Sequence, residues 1–263
     1  MESKNKLWLG LGVVCIAGVT LSACSDSARN QELNPESTAS AEGGEGGEGA
    51  TTEDSIASDA VYLGQLAFIR GHLNVGVDLY RQGQQEAAAT HMKHPENEIY
   101  TALLPAMEAR NAPGFGEELQ ALALAVEQQQ ELTVVENAHA QLLSAVDKAE
   151  QAVSEQDAAL IGAVIVDLVK TAAAEYDIAA GEDLALENAH EYQDALGFVR
   201  IAQQQLDKLA GMTEEQAAIV SIREQLELIS PAWTGLQPPA QLSMEPSVLY
   251  GAASRIEIAS LAL

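Results

Sequence analysis

Cysteine is almost absent from this chain, which has only Cys15 and Cys24 among its 263 residues. Because no thiol follows residue 24, the rest of the chain has no disulfide, no thiolate metal ligand and no cysteine nucleophile. It also cannot attach a c-type haem, which needs two cysteines followed by a histidine. The fold must therefore be stabilised by packing, or by packing together with a metal that other side chains bind.

Basic residues are scarce as well. The chain has 13 Lys and Arg against 39 Asp and Glu, so that its formal net charge is −26. Such a surface repels nucleic acid and anionic lipid headgroups, which excludes both as binding surfaces. Two explanations of the acidity remain: it attracts cations, or it keeps the protein soluble. We favour solubility for most of the charge, because runs of charge usually form solvated faces.

Catalytic signatures are missing from the sequence. There is no Gly-x-Ser-x-Gly elbow, no phosphate-binding glycine loop and no dinucleotide fingerprint. Pairs of acidic residues occur at helix starts, where the helix dipole already explains them. We therefore expect a protein that is not an enzyme.

The first 24 residues have the layout of a secretory signal. Lys4 and Lys6 precede an apolar run over residues 7–23, which is too short to span a membrane comfortably. The ending Leu-Ser-Ala-Cys at residues 21–24 resembles the lipobox of bacterial lipoproteins. That resemblance implies cleavage before Cys24 and acylation of this residue, for instance with palmitate, while an uncleaved anchor or an ordinary signal peptide are the alternatives.

Lipidation implies a place in the cell envelope, outside the cytoplasm. More than one acyl chain holds a protein stably on a membrane. Ser25, directly after the lipidated residue, resembles the sorting class of the outer membrane, which we favour over the inner membrane for this periplasmic protein. The membrane, reached through lipid on Cys24, is thus the first expected partner.

Composition divides the chain into three parts. Residues 1–23 form the signal peptide, and residues 24–53 form a flexible acidic tether with the glycine-rich core 42–49. The tether has almost no apolar side chains, so that it cannot offset its chain entropy by burial. Residues 54–263 form the folded domain.

The folded part has a helical pattern throughout. Aromatic residues make up only 4% of the chain, and Ala, Leu, Gln and Glu are abundant. The spacing predicts one long helix over residues 56–82, a buried core helix over residues 156–179 and a helix over residues 189–210. We expect an all-α bundle of seven to nine helices, either as one bundle or as two packed subbundles.

Three of the five histidines fall in a first candidate cluster, which comprises His72, His91, His94 and Glu98. His91 and His94 share a helical face if their helix reaches His94, and antiparallel packing of the first two helices would bring His72 towards His91. Imidazoles and a carboxylate suit iron, zinc, copper or nickel. The alternative is that His94 caps a helix, Glu98 serves its dipole and His72 is a core residue.

A second candidate cluster comprises His190, Glu191 and Asp194. His190 and Asp194 are four residues apart and share a helical face. The alternative is a helix start with acidic residues in its first turn. A site that joins both clusters is compatible with the sequence, but the spacing does not imply it. We expect His139, which stands alone, to lie on the surface.

The segment 174–198 resembles the extracytoplasmic helical domains attached to bacterial iron permeases of the FTR1 type. Those domains carry a helix end with tyrosine, a turn with glycine, and then Glu-Tyr, an acidic residue and Phe, as in Glu191-Tyr192, Asp194 and Phe198 here. The helical layout is also similar to imelysin-like proteins, although Val75 stands where their motif has glutamate. Both resemblances imply a periplasmic role in the handling of a metal, iron above all.

These observations together predict a membrane-anchored lipoprotein that binds or delivers a transition metal in iron uptake or handling. Iron is favoured, with copper or zinc as alternatives, and a metal transporter or another envelope protein is the expected partner. The alternative function is a non-catalytic interaction lipoprotein that docks on a membrane complex and whose histidines are structural.

Overall fold

Helices form nearly all the regular structure of the computed structural model, which describes residues 51–263 except for the side chains of residues 94, 96, 97 and 98. A π-helix covers Pro95–Tyr100, and short 3-10 turns cover Glu182–Leu184 and Ser230–Ala232. The ten α-helices of the described residues are α1 (Thr52–Ala57), α2 (Asp59–Arg81), α3 (Gln85–His94), α4 (Thr101–Ala109), α5 (Gly116–Glu127), α6 (Leu132–Glu150), α7 (Ala158–Ala179), α8 (Ala189–Ala210), α9 (Gln216–Ile229) and α10 (Pro246–Ser260).

The all-α bundle is confirmed, with more helices than the seven to nine expected. One reason is Ser58, whose extended backbone separates α1 from α2 within the single helix expected over residues 56–82. Its hydroxyl accepts a hydrogen bond from the backbone N–H of Val61, 3.3 Å away. A serine in this position satisfies one of the free N–H groups of a helix start, so that it begins a new helix instead of continuing the old one.

Helix α2 is the central element of the domain. Most of its residues are buried, and it packs against α3, α6, α7 and α8. A helix that is apolar on nearly all sides fits this surrounded position. Its burial places His72, in the middle of the helix, far from solvent.

Two glycines bring α2 and α8 into close contact. A Cβ atom on Gly197 would lie 2.8 Å from the carbonyl oxygen of Gly71 and 2.9 Å from Val75. A Cβ atom on Gly71 would lie 2.7 Å from the ring of Phe198. Both positions therefore need glycine for packing, since larger residues would push the two helices apart.

The π-helix interrupts the path from α3 to α4. Pro95 lacks a backbone N–H, so that the regular hydrogen bonding of α3 ends at His94 and the π-helix follows. The wider turn then continues to Tyr100, whose hydroxyl accepts a hydrogen bond from the N–H of Phe115. π-turns inside helices occur often beside functional sites.

The helices α7, α8, α9 and α10 form the C-terminal half of the domain. The helix α7 packs along α8 and α10, and α10 also packs on α9. The long apolar helix expected over residues 156–179 is thus the buried α7. Within residues 51–263, no helix combines the length and the apolar character that a membrane crossing requires.

The N-terminal predictions fall mostly outside the described residues. This applies to the signal peptide at residues 1–23, to the lipid on Cys24 and to the tether up to residue 50. The described part begins at Thr51, and α1 starts at Thr52, shortly before the domain boundary expected at residue 54.

Replacement of Gly197 by alanine should destabilise the protein by about 1–3 kcal/mol, because the added methyl group meets the backbone of α2. Chemical unfolding of Gly197→Ala measures this loss. Gly211→Ala is the matched control at the end of the same helix, where the nearest atom to the new Cβ is 3.4 Å away. Equal stability of the two variants would contradict the close contact of α2 and α8.

Candidate metal centre

The carboxylate of Asp194 is the centre of a buried cluster of imidazoles. Its Oδ1 atom lies 2.6 Å from Nδ1 of His72 and 2.9 Å from Nδ1 of His91. Its Oδ2 atom lies 3.1 Å from Nε2 of His190. Three helices, α2, α3 and α8, therefore converge on one carboxyl group.

Local structure explains how each side chain reaches this point. Asn188 caps α8 through its side-chain oxygen, which accepts a hydrogen bond from the N–H of His190, 3.0 Å away. This start of the helix puts His190 and Asp194 on one face, four residues apart.

Glycines of α2 position the two buried histidines. His72 follows Gly71 in the close contact of α2 with α8. Gly76 leaves room for α3, since a Cβ atom on Gly76 would lie 3.3 Å from the Cβ atom of His91.

Three of these groups can hold one metal ion. His72, His91 and Asp194 each offer a ligand atom, and these atoms lie within 4.8 Å of one another. Two metal–ligand bonds of about 2.1 Å span up to about 4.2 Å, so that small side-chain movements would fit a common ion. Two histidines with one carboxylate are the ligand set of non-haem iron sites, and imidazole also suits zinc and copper.

The electrostatics of the cluster require positive charge. Burial raises the pKa of Asp194, but the imidazoles of His72 and His91 lower it more, so that the pKa lies well below the ordinary range of a carboxyl group. Asp194 is thus an anion with 1% of its side chain exposed. A buried anion needs a bound cation or protonated partners, since an uncompensated buried charge is strongly destabilising.

Aromatic and polar contacts fix the orientation of the two buried imidazoles. The ring of His72 stands edge-on to Phe198, with ring centroids 5.1 Å apart. The ring of His91 lies against that of His190, with centroids 4.2 Å apart. Nε2 of His91 is 3.0 Å from Oε1 of Gln193. Both rings are therefore held by neighbours on α8.

The structure brings together residues from both sequence clusters. His72 and His91 of the first cluster meet Asp194 and His190 of the second. Glu191 is buried beside them on α8, and its carboxylate accepts a hydrogen bond from the side-chain amide of Asn188, 3.1 Å away. It does not belong to the group of potential metal ligands found among the described side chains.

Two members of the first cluster have side chains outside the described part of the molecule. His94 is the last residue of α3, and Glu98 lies in the π-helix that follows it. Their role as metal ligands stays a prediction of the sequence.

Gln193 is a site residue that sequence reasoning missed. It is buried, and its amide contacts both His91 and the backbone of Leu236. It stands between two residues of the second cluster, but neither its type nor its spacing marks an interaction with α3. Only the folded structure, in which the side chain of His91 on α3 reaches α8, reveals the contact.

His139, expected to lie on the surface, is a half-buried residue of α6. Burial lowers its pKa from 6.5 to about 4, and the nearby guanidinium of Arg81 acts in the same direction. His139 does not belong to the group of potential metal ligands around Asp194.

Residues 150–262 match the family model of the iron permease-associated 4-helix bundle domain. The match covers less than half of the chain, and it contains α7, α8, α9 and α10 in full. Neither the curated proteins nor the solved structures contain a match.

The family match confirms the resemblance to iron-permease-associated domains for residues 150–262. Asp194, His190 and Gln193 lie inside the matched region, whereas His72 and His91 precede it. The resemblance to imelysin-like proteins stays a prediction.

Removal of His139 should flatten the acid limb of the stability curve. The unfolded state binds a proton at this residue near pH 6.5 and the folded state only near pH 4. Protonation therefore favours the unfolded state, and the free energy of unfolding falls as the pH drops through this window. The loss amounts to at most roughly 3 kcal/mol. Unfolding of wild type and His139→Gln between pH 7 and pH 4 measures it.

The neighbouring exposed position supplies the control for this prediction. Asn137→Gln on the same helix should keep the wild-type pH dependence. Identical slopes for His139→Gln and the wild type would show that His139 is solvated in the folded state.

Proposed function

We propose that the protein binds a transition metal, with iron favoured, through His72, His91 and Asp194, and that it serves iron uptake as a membrane-anchored protein outside the cytoplasm. The observation that supports this proposal most is the meeting of three buried ligand atoms from three helices within 4.8 Å. A bound metal ion would supply the positive charge that the protonated imidazoles otherwise supply to the buried carboxylate of Asp194.

The chemistry of the ligands supports iron. Two imidazoles and one carboxylate form the set that non-haem Fe(II) sites use, while thiolates, which would favour zinc or copper(I), are absent beyond residue 24. The iron-permease association of the matched domain agrees with this choice. Copper and zinc remain alternatives that the same imidazoles accept.

Burial supports binding over catalysis. The side chains of His72 and His91 are fully buried, and that of Asp194 is 1% exposed. Oxygen or hydrolytic chemistry at a metal needs an open coordination position that a substrate can reach. A site buried away from substrate suits a carrier or a sensor better than an enzyme.

His190 supports a route between this site and solvent. Its side chain is 20% exposed, it contacts the second carboxylate oxygen of Asp194, and its ring lies against His91. In our proposal an incoming cation meets this imidazole first and the buried ligands afterwards. The strongly acidic surface raises the local concentration of cations on the way.

The N-terminal sequence supports a place at the membrane. Acyl chains on Cys24 would hold the protein at the envelope, and the glycine-rich tether would give the domain a reach of roughly 30 Å, estimated as 5–6 Å times the square root of its length. A permease in the same envelope is the partner that the matched domain suggests. Within this proposal the protein supplies metal to such a transporter and catalyses no reaction itself.

Metal content tests the core of the proposal. The full chain, purified without an affinity tag and exposed to iron, copper or zinc, should retain a nearly stoichiometric amount of one metal by elemental analysis. His91→Ala and Asp194→Asn should each weaken its binding by at least about 100-fold, because loss of a ligand exceeds the effect of an outer contact. Glu98→Gln and His94→Ala test the two further ligands that the sequence predicts.

His139→Gln is the matched control, since it removes a partly buried histidine from another helix and should leave the metal content unchanged. A wild type that retains none of the three metals, with an unchanged melting temperature in their presence, would exclude the metal function. The histidines would then be structural, and a partner-binding lipoprotein would be the better interpretation.

Membrane anchoring is tested by the two cysteines of the chain. Cys24→Ala should move the protein from the membrane fraction to the soluble fraction or block its processing, and it should abolish labelling with palmitate. Cys15→Ala is the matched control and should leave both unchanged. Palmitate labelling that persists in Cys24→Ala would contradict the lipoprotein proposal.

A further inference from the structure

Gln193 links the buried cluster to the loop between α9 and α10. Its Oε1 atom lies 3.0 Å from Nε2 of His91, and its Nε2 atom donates a hydrogen bond to the backbone oxygen of Leu236, 3.0 Å away. The side chain is buried, with 5% of the residue exposed. Both ends of the amide are thus engaged, away from water.

The contact with Leu236 fixes the orientation of this amide. A backbone carbonyl oxygen can only accept, so that the NH₂ end of Gln193 must face Leu236. The other end, which faces His91, is therefore the oxygen. The hydrogen-bonding partner thus distinguishes the oxygen of this amide from its nitrogen.

An amide oxygen on Nε2 determines where His91 carries its proton. The oxygen is an acceptor, so that Nε2 of His91 must be the donor. Nδ1 of the same ring then faces Asp194 at 2.9 Å, beside Nδ1 of His72. In the metal-free protein the carboxylate of Asp194 accepts a hydrogen bond from this Nδ1 atom. With Nε2 held as the donor to Gln193, Nδ1 is the nitrogen that would offer its lone pair to a metal in place of that proton, beside the other ligand atoms.

Neighbouring contacts hold the loop that carries Leu236. The indole N–H of Trp233 donates to the backbone oxygen of Tyr192, 3.0 Å away, and the N–H of Thr234 donates to the hydroxyl of the same tyrosine at 3.1 Å. The loop is therefore tied to α8 at the residue before Gln193. The backbone oxygen of Leu236 is therefore held in place, and it fixes the side-chain amide of Gln193 in turn.

We infer that Gln193 is a positioning residue that keeps the proton of His91 on Nε2 and presents Nδ1 to the metal. The inference rests on the proposed metal site for its function, but the protonated nitrogen is a property of the metal-free protein. An outer partner of this kind sets both the tautomer and the ring orientation of a ligating histidine, and its loss weakens metal affinity by about 10–100-fold.

Long-range proton–nitrogen correlation spectra of the metal-free full chain, labelled with ¹⁵N-histidine, test the inference directly. The signals of His91 are assigned by their loss in His91→Gln. In the wild type, Nε2 of His91 should carry a proton. In Gln193→Met, which has a similar size but no amide oxygen, the preference for Nε2 should be lost, whereas Gln193→Glu keeps an acceptor and should retain it.

Affinity for Fe²⁺ under anaerobic conditions is the second measurement. It should fall about 10–100-fold in Gln193→Met and by less in Gln193→Glu. Gln204→Met is the matched control, because Gln204 is an exposed glutamine on the same helix and should leave both the spectrum and the affinity unchanged.

An unprotonated Nε2 in the wild type would overturn the inference, and so would a protonated Nε2 that persists in Gln193→Met. Because the wild-type spectrum alone can decide the first point, the test does not depend on how well Gln193→Met folds. A wild type without affinity for Fe²⁺ would overturn the choice of iron in the proposed function, while the spectra of the metal-free protein would still decide the role of Gln193.

Discussion

The buried carboxylate of Asp194 is the group on which the arrangement of this domain depends. It is an anion in the interior, and three imidazoles from three helices contact its two oxygen atoms. The desolvation of such a charge opposes folding unless each lone pair finds a partner. The side chains of α2 and α3 that reach α8 at this point are therefore the polar partners of one carboxylate inside an otherwise apolar core.

Small residues allow the helices to approach one another closely around this carboxylate. Gly71 and Gly197 let the backbones of α2 and α8 approach, and each stands close to a site residue, His72 or Asp194. Gly76 gives the same freedom to α3 near His91. The matched four-helix domain contributes Asp194 but neither of the two buried histidines. The site thus combines the C-terminal domain with two helices that precede it, so that the family match by itself does not contain the site.

The sequence predicted the helices well where their ends have a local cause. The helix expected over residues 189–210 is α8, and Asn188 caps it, since a side-chain acceptor acts within one turn. Ser58 was missed because the apolar spacing continues across it. The candidate site was predicted as two clusters, since helical spacing shows which residues share a face but not which faces meet. Gln193 was missed for the same reason, because its partners lie on α3 and in a distant loop.

Under the proposed metal-binding function, full burial of the ligands has a consequence for delivery. A metal enclosed on all sides leaves slowly, because its release requires local opening of the structure. His190 is the member of the described cluster with measurable exposure, and it contacts both Asp194 and His91. Displacement of this imidazole would open one side of the carboxylate without separating α2 from α8. Within that proposal, a partner that displaces His190 would draw the metal from an otherwise intact bundle, so that tight holding is compatible with transfer to a transporter.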